Sequence, residues 1–199
     1  MKKTVSFILL LSSILLLAQN AKTETSKEFQ KTINREYANR TESPLIDEDF
    51  KLFRELKFYP ITNKFIVEAQ FKRTPDEKVF KMKTTGERLP EYVKYGELTF
   101  IIDGKMFGLN LYQNIDLMKR EGYEDYLFLP FSDLTCGKES YIGGRYIDMR
   151  IPKGDKMIID FNKAYNPYCA YNHKYSCPIV PLENDLKIEI RAGVKTFHH

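Results

Sequence analysis

The chain has 199 residues and a formal net charge of +4, with 29% charged and 43% hydrophobic residues. Lysines and arginines alternate with acids, as in Lys72-Arg73-Thr74-Pro75-Asp76-Glu77-Lys78, so no basic stripe follows a phosphate backbone and nucleic acid is not an expected partner. The length suits one domain with a full core and is too small for two ordinary ones.

Lys2-Lys3 precede an apolar stretch over residues 5–18 that only Ser6, Ser12 and Ser13 interrupt, and Gln19-Asn20 end it. A basic n-region followed by about 14 apolar residues fits a secretory signal and falls short of the roughly 20 that span a bilayer. The expectation is a signal peptide over residues 1–20, cut between Ala18 and Ala21, and a mature protein that is periplasmic or extracellular with no membrane span. Without Lys2 and Lys3 the net charge is +2.

Residues 21–60 read as a helical segment that packs on a single β-rich domain over residues 61–199. Phe29, Ile33 and Tyr37 recur at four-residue spacing along one helical face. Ser43-Pro44 or Asp47 then caps a short helix carrying Phe50, Phe53 and Leu56. Beyond Pro60 the period becomes two. Phe65, Val67, Ala69 and Phe71 share one face of a half-buried strand, and Phe80 and Met82 do so in a short one. Asp103-Gly104 suits a two-residue turn with positive φ between residues 97–102 and 105–111, pairing Phe100 with Phe107 and Leu98 with Leu109.

Residues 126–129 form a short strand stopped by Pro130. Residues 145–151 and 157–161 read as a hairpin across Pro152-Lys153-Gly154-Asp155, and Leu186, Ile188 and Ile190 alternate in a last strand. Seven or so short strands with turn signals about every ten residues predict a mainly β fold, an antiparallel β-sandwich or a partly open barrel with short N-terminal amphipathic helices.

Chemistry-bearing residues concentrate between residues 128 and 184. Arg145 follows Gly143-Gly144 and shares a strand face with Ile147 and Met149, so its guanidinium is expected to be partly buried and to need a carboxylate or an anionic ligand. Glu139 and Asp160 are the nearest acids in sequence. The two readings are an internal ion pair and an anion pocket completed by Lys138 and Tyr141. Glu139 with Asp160, or Asp133 with Asp148, also offer a carboxylate pair for hydrolysis. Tyr141, Tyr146, Tyr165, Tyr168, Tyr171 and Tyr175 fit either a platform for a sugar or aromatic ligand or the rim of a β core.

Cys169 and Cys177, the closest pair in sequence, are the expected disulfide in an oxidising compartment, worth about 2–3 kcal/mol on the loop-entropy account. Cys136, Cys169, His173 and Cys177 could instead form a tetrahedral zinc set, but the spacing is not a common one; no metal and no cofactor are expected.

The run Leu127-Phe128-Leu129-Pro130-Phe131, Asp133, Thr135, Gly137-Lys138-Glu139, Tyr141, Gly143-Gly144-Arg145-Tyr146 and Asp148, followed by Asp160-Phe161-Asn162, Ala164-Tyr165-Asn166-Pro167 and Cys169-Ala170-Tyr171, closely resembles the bacterial family called domain of unknown function 1684. Cys177-Pro178, Glu183-Asn184 and Ala192-Gly193 extend the resemblance from about Pro44 to Val194. The family supplies no activity or catalytic residues. Similar proteins without signal peptides carry both Cys169 and Cys177, which implies that the pair can pack as thiols or serve a site. The expected function is an exported domain that binds a small polar or anionic ligand through Asp133, Lys138, Glu139, Tyr141, Arg145, Asp148, Asp160, Asn162 and Asn166. The alternatives are a hydrolase using Glu139/Asp160 or Cys169, and a structural or interaction module without a pocket.

Overall fold

In a computed structural model, residues 24–197 are described. The expected signal peptide, its cleavage site and the terminal His198 and His199 lie outside them. Two helices lead the fold, α1 (Ser26–Ala38) and α2 (Asp47–Leu52). Seven strands follow, β1 (Ile66–Arg73), β2 (Phe80–Lys81), β3 (Glu91–Ile102), β4 (Lys105–Asn114), β5 (Tyr126–Phe131), β6 (Arg145–Arg150) and β7 (Lys156–Asp160).

Every strand pairing is antiparallel, in the order β6-β5-β4-β3-β1-β7, with β2 added to β3. The sheet curls into a half-barrel. Its concave side is filled by alternate residues of every long strand, among them Val67, Leu98, Phe100, Leu111, Leu129, Ile147 and Ile159. Each such side chain contributes about 1.5–3 kcal/mol on leaving water. The two edge strands β6 and β7 both contribute to this one core without pairing, so of the two expected alternatives the sheet is the partly open barrel.

The β3–β4 hairpin has the predicted register, with Phe100 opposite Phe107 and Leu98 opposite Leu109. Asp103 (φ 50°) and Gly104 (φ 74°) both take the left-handed backbone that this turn requires. β3 starts earlier than the alternation suggests, because a bulge between Lys94 and Gly96 shifts its phase. Leu98 and Phe100 therefore face the core while Tyr92 faces the other side of the sheet. Gly96 is required there: a Cβ would stand 2.3 Å from Phe71 Cε2 and 2.7 Å from Lys72 O.

Three expectations need correction. Residues 145–151 and 157–161 are not a hairpin: β6 pairs with β5 and β7 with β1, so consecutive strands form opposite edges of the sheet. β5 runs through Pro130 to Phe131, and the ladder that proline cannot complete toward β4 is replaced by a side chain. Asn184 Nδ2 donates to Asn110 O (2.9 Å) and Pro130 O (2.6 Å), and its Oδ1 accepts from Asn110 N (2.8 Å). Residues 186–191 form no strand; Leu186 and Ile190 are buried, but Asp185 makes only an isolated bridge to Ser132.

α1 is held by a capping box, Glu28 N to Thr25 Oγ1 (3.2 Å) and Thr25 N to Glu28 Oε2 (2.9 Å). Its predicted apolar face docks through Ile33 and Tyr37 with Phe29 beside them. Ser26 Oγ donates to Asp160 Oδ2 (2.6 Å) and Gln30 Nε2 to Asn162 O (3.0 Å), which ties α1 to the end of β7. α2 begins at Asp47 with Ile46 as its N-cap residue, so neither Ser43 nor Asp47 caps it.

Candidate functional site

The convex face of the sheet carries a second aromatic cluster, Met82, Tyr92, Tyr112, Phe128 and Tyr146. α1 stands beside it, and between them lies a cleft of about 650 Å³. Tyr92, Tyr126, Phe128, Tyr146 and Asp148 come from β3, β5 and β6; Phe29, Thr32, Ile33, Glu36 and Tyr37 come from α1; Tyr165, Tyr168 and Cys177 come from the segment after β7. Alternation in β6 explains the split: Arg145, Ile147 and Met149 point into the half-barrel, while Tyr146 and Asp148 point out to the cleft.

The rings brace one another edge-to-face, Phe128 with Tyr146 at 4.7 Å between centroids and Tyr146 with Tyr165 at 5.9 Å. Tyr146 Oη donates to Pro178 O. Tyr126 Oη (2.7 Å) and Tyr165 Oη (2.5 Å) both donate to Asp148 Oδ1. Burial, and then the negative charge of Asp148, push both phenols well above their ordinary range. They remain neutral donors, and they fix the orientation of the carboxylate. Asp148 Oδ2 accepts no hydrogen bond and Asp148 has no basic partner among the described residues.

Cys177 links this cleft to a thiol pair. Cys169 and Cys177 are both free, so the expected disulfide is absent; Cys169 N–H donates to Cys177 Sγ at 3.2 Å. Tyr141 Oη lies 3.8 Å from Cys169 Sγ. A hydrogen bond from the Cys177 thiol lowers Cys169 to about 6 against the cost of burial, with the Thr85 and Tyr141 hydroxyls adding to it. The same bond raises Cys177, and burial pushes Tyr141 up to about 12.

Arg145 is fully buried, and its partner is Asp133 rather than Glu139 or Asp160. Nη2 donates to Asp133 Oδ2 at 2.6 Å and to Ile190 O at 2.9 Å, and Nη1 donates to Ala192 O. Asp133 Oδ1 accepts from Thr135 Oγ1 (2.7 Å), Thr135 N (2.8 Å) and Ile190 N (3.2 Å). Gly144 makes this approach possible: at φ 84° it passes so close to β5 that a Cβ would lie 2.6 Å from Phe131 O. With both side chains at zero exposure the guanidinium is closed off from any anion in solvent, although its Nε makes no hydrogen bond among the described residues. The group ties the 190–194 segment to the half-barrel.

The family described as "Protein of unknown function (DUF1684)" matches residues 51–195. The chain belongs to the DUF1684 family. The solution NMR structure of an uncharacterized protein of Haloarcula marismortui is 29% identical, with a TM-score of 0.69, covering 87% of this chain and 94% of that one. None of the curated proteins matches the chain. In this DUF1684 chain the cleft floor, from Tyr92 to Cys177, lies inside the family match, whereas the α1 wall precedes it.

Of the DUF1684 residues expected to share one ligand site, only Asp148 lines the cleft. Glu139 pairs with Arg191 Nη1 at 2.5 and 2.7 Å, and that guanidinium lowers its pKa. Lys138 and Tyr141 border a separate hollow beside Gly137 and Ile142. Asp160 Oδ1 accepts from Asn162 N (3.0 Å) and Asn162 Nδ2 (2.9 Å), so Glu139 and Asp160 serve different partners and form no acid/base pair. Asn162 also exchanges hydrogen bonds with the Thr62 backbone (3.0 and 3.1 Å), and Asn166 Nδ2 donates to Lys195 O (3.0 Å). The cysteines and histidine do not gather: Cys136 contacts Asp133 and Ser140, and no group of three metal-ligating side chains occurs among the described residues. Among the described residues no helix is long and apolar enough to cross a membrane.

Sequence reasoning missed Arg88, Tyr92, Tyr126 and Phe128. Tyr92 was hidden by the bulge, and Tyr126 and Phe128 because their short strand reads only as apolar. The available signal was the conjunction of Asp148 with Tyr146 on the outward face of β6, which the face-splitting of that strand already contained.

Proposed function

We propose that this chain is a small-molecule-binding module whose site is the cleft between α1 and the convex aromatic face of the sheet. One observation carries the reading: a ring-lined recess of about 650 Å³ has on its floor an exposed carboxylate, Asp148, which is oriented by two tyrosine hydroxyls and keeps one oxygen open. A concave, largely apolar surface with one oriented polar group is the usual anatomy of a small-ligand site. The ligand is polar at one end and apolar at the other. An anionic ligand is disfavoured here, since Arg145 is committed to Asp133 and the cleft presents Glu24, Glu36 and Asp148 against Arg88 alone. The signal sequence expected over residues 1–20 supports a site of action outside the cytoplasm.

The test is a thermal-shift screen of sugars, anions, amines and nucleotides on the purified protein and on Thr32→Phe, which fills the cleft from the α1 side without touching its floor. At least one class is expected to raise the melting temperature of the native protein and to lose that effect in Thr32→Phe. A screen in which no class binds, or in which binding survives the substitution, overturns the reading.

A further inference from the structure

The character of the ligand follows from the cleft's electrostatics, given that the cleft is the binding site. Its Asp, Glu, Lys and Arg lining is three carboxylates, Glu24, Glu36 and Asp148, and one guanidinium, Arg88. Arg88 is partly drawn away, since its Nη2 donates to Ser176 O at 3.1 Å. Burial and the nearby Glu42 raise Glu36 above the usual carboxylate range, Arg35 opposes them and Glu24 adds to the repulsion, so acids outnumber bases along this wall.

The floor adds a second attraction for positive charge. Tyr92, Tyr126, Phe128, Tyr146 and Tyr165 line it around Asp148. Aromatic faces are negative and attract cations, most strongly where water is displaced. The Tyr126 and Tyr165 hydroxyl protons are both committed to Asp148 Oδ1, so they are not available to donate to an anion. What the floor offers is aromatic surface, phenolic oxygens and one carboxylate oxygen without a partner among the described residues. We propose that the cleft recognises a small organic cation, an alkylated ammonium group seated among these tyrosines with its positive charge against Asp148.

The experiment is calorimetric titration of the purified protein with choline, with the neutral isostere of choline in which a quaternary carbon replaces the nitrogen, and with ethanolamine. Choline is expected to bind about tenfold more tightly than its carbon isostere, a difference of about 1.4 kcal/mol, and more tightly than ethanolamine. Asp148→Asn, which still accepts from both tyrosines, is expected to weaken choline about tenfold at an unchanged melting temperature, and Thr32→Phe to abolish binding. If the carbon isostere binds as well as choline and both are lost in Thr32→Phe, the cleft stands as the site and the cation assignment fails. If choline does not bind, the assignment also fails, while the screen on the cleft still judges the broader reading. Choline binding that survives Thr32→Phe overturns both.

Discussion

Replacing Arg145 by methionine tests the assignment of that residue to structure. Methionine keeps an unbranched apolar stem in the core but deletes every donor of the guanidinium. Asp133 would keep the three bonds to its Oδ1 from Thr135 and Ile190, and its Oδ2 would lose the charged donor 2.6 Å away in a site with no exposure. The carbonyls of Ile190 and Ala192 would lose their donors as well. Removing one partner of a buried ion pair costs about 3–5 kcal/mol, because the remaining charge is stranded. At about 2–4 °C per kcal/mol for a domain of this size, the melting temperature falls by about 6–20 °C. Arg145→Lys loses much of the same stability, since a point charge cannot reach the carboxylate and the carbonyls together. Urea denaturation of the two variants and of Arg145→Met/Asp133→Asn measures this. The double variant recovers part of the loss, because the amide still accepts from Thr135 and Ile190 and no charge is stranded. A loss below about 1 kcal/mol for Arg145→Met, or a double variant less stable than the single, would refute the reasoning.

Two further outcomes follow. Asn184→Ala removes the side chain that stands in for the β4–β5 ladder and leaves Asn110 N, Asn110 O and Pro130 O unpaired, so it costs about 2–4 kcal/mol in denaturant unfolding; a neutral change would show that the ladder gap needs no bridge. Cys169 is lowered to about 6, below the unfolded thiol near 8.5, so the folded state releases a proton that the unfolded state keeps, and this pair's contribution to stability rises with pH between those values. Above them the unfolded chain ionises both thiols while the raised Cys177 holds its proton, and the contribution falls. Thiolate absorbance against pH reads the first step, and Cys177→Ala moves it upward; an unmoved titration contradicts the thiol–thiol bond.

The sheet was legible where its determinants are local. Asp103-Gly104 and the flanking alternation specify turn, register and faces of the β3–β4 hairpin together. The partner of β7 was not legible. A strand's alternation specifies which face is buried, not which edge pairs, and closure of the curled sheet gives β7 to β1 across about ninety residues of chain. Arg145 follows the same division. Its face on β6 and its burial could be read, whereas Asp133 reaches it only because the loop after Phe131 folds back on Thr135. Asp148 was visible as a residue and hidden as a site, since its neighbours arrive from α1, β3, β5 and the segment after β7.

The central claim is that ligand is met at the convex face around Asp148 and not at the Arg145 cluster. An NMR titration of tyrosine-ring-labelled protein with choline separates the two, because Tyr59 packs over Arg145, with the guanidinium carbon 5.9 Å from its ring centre, whereas Tyr92, Tyr126, Tyr146 and Tyr165 line the cleft. The predicted result is that these four rings shift in a saturable way while Tyr59 stays in place. Movement of Tyr59 with the cleft tyrosines unchanged, or no movement of the four, would contradict it.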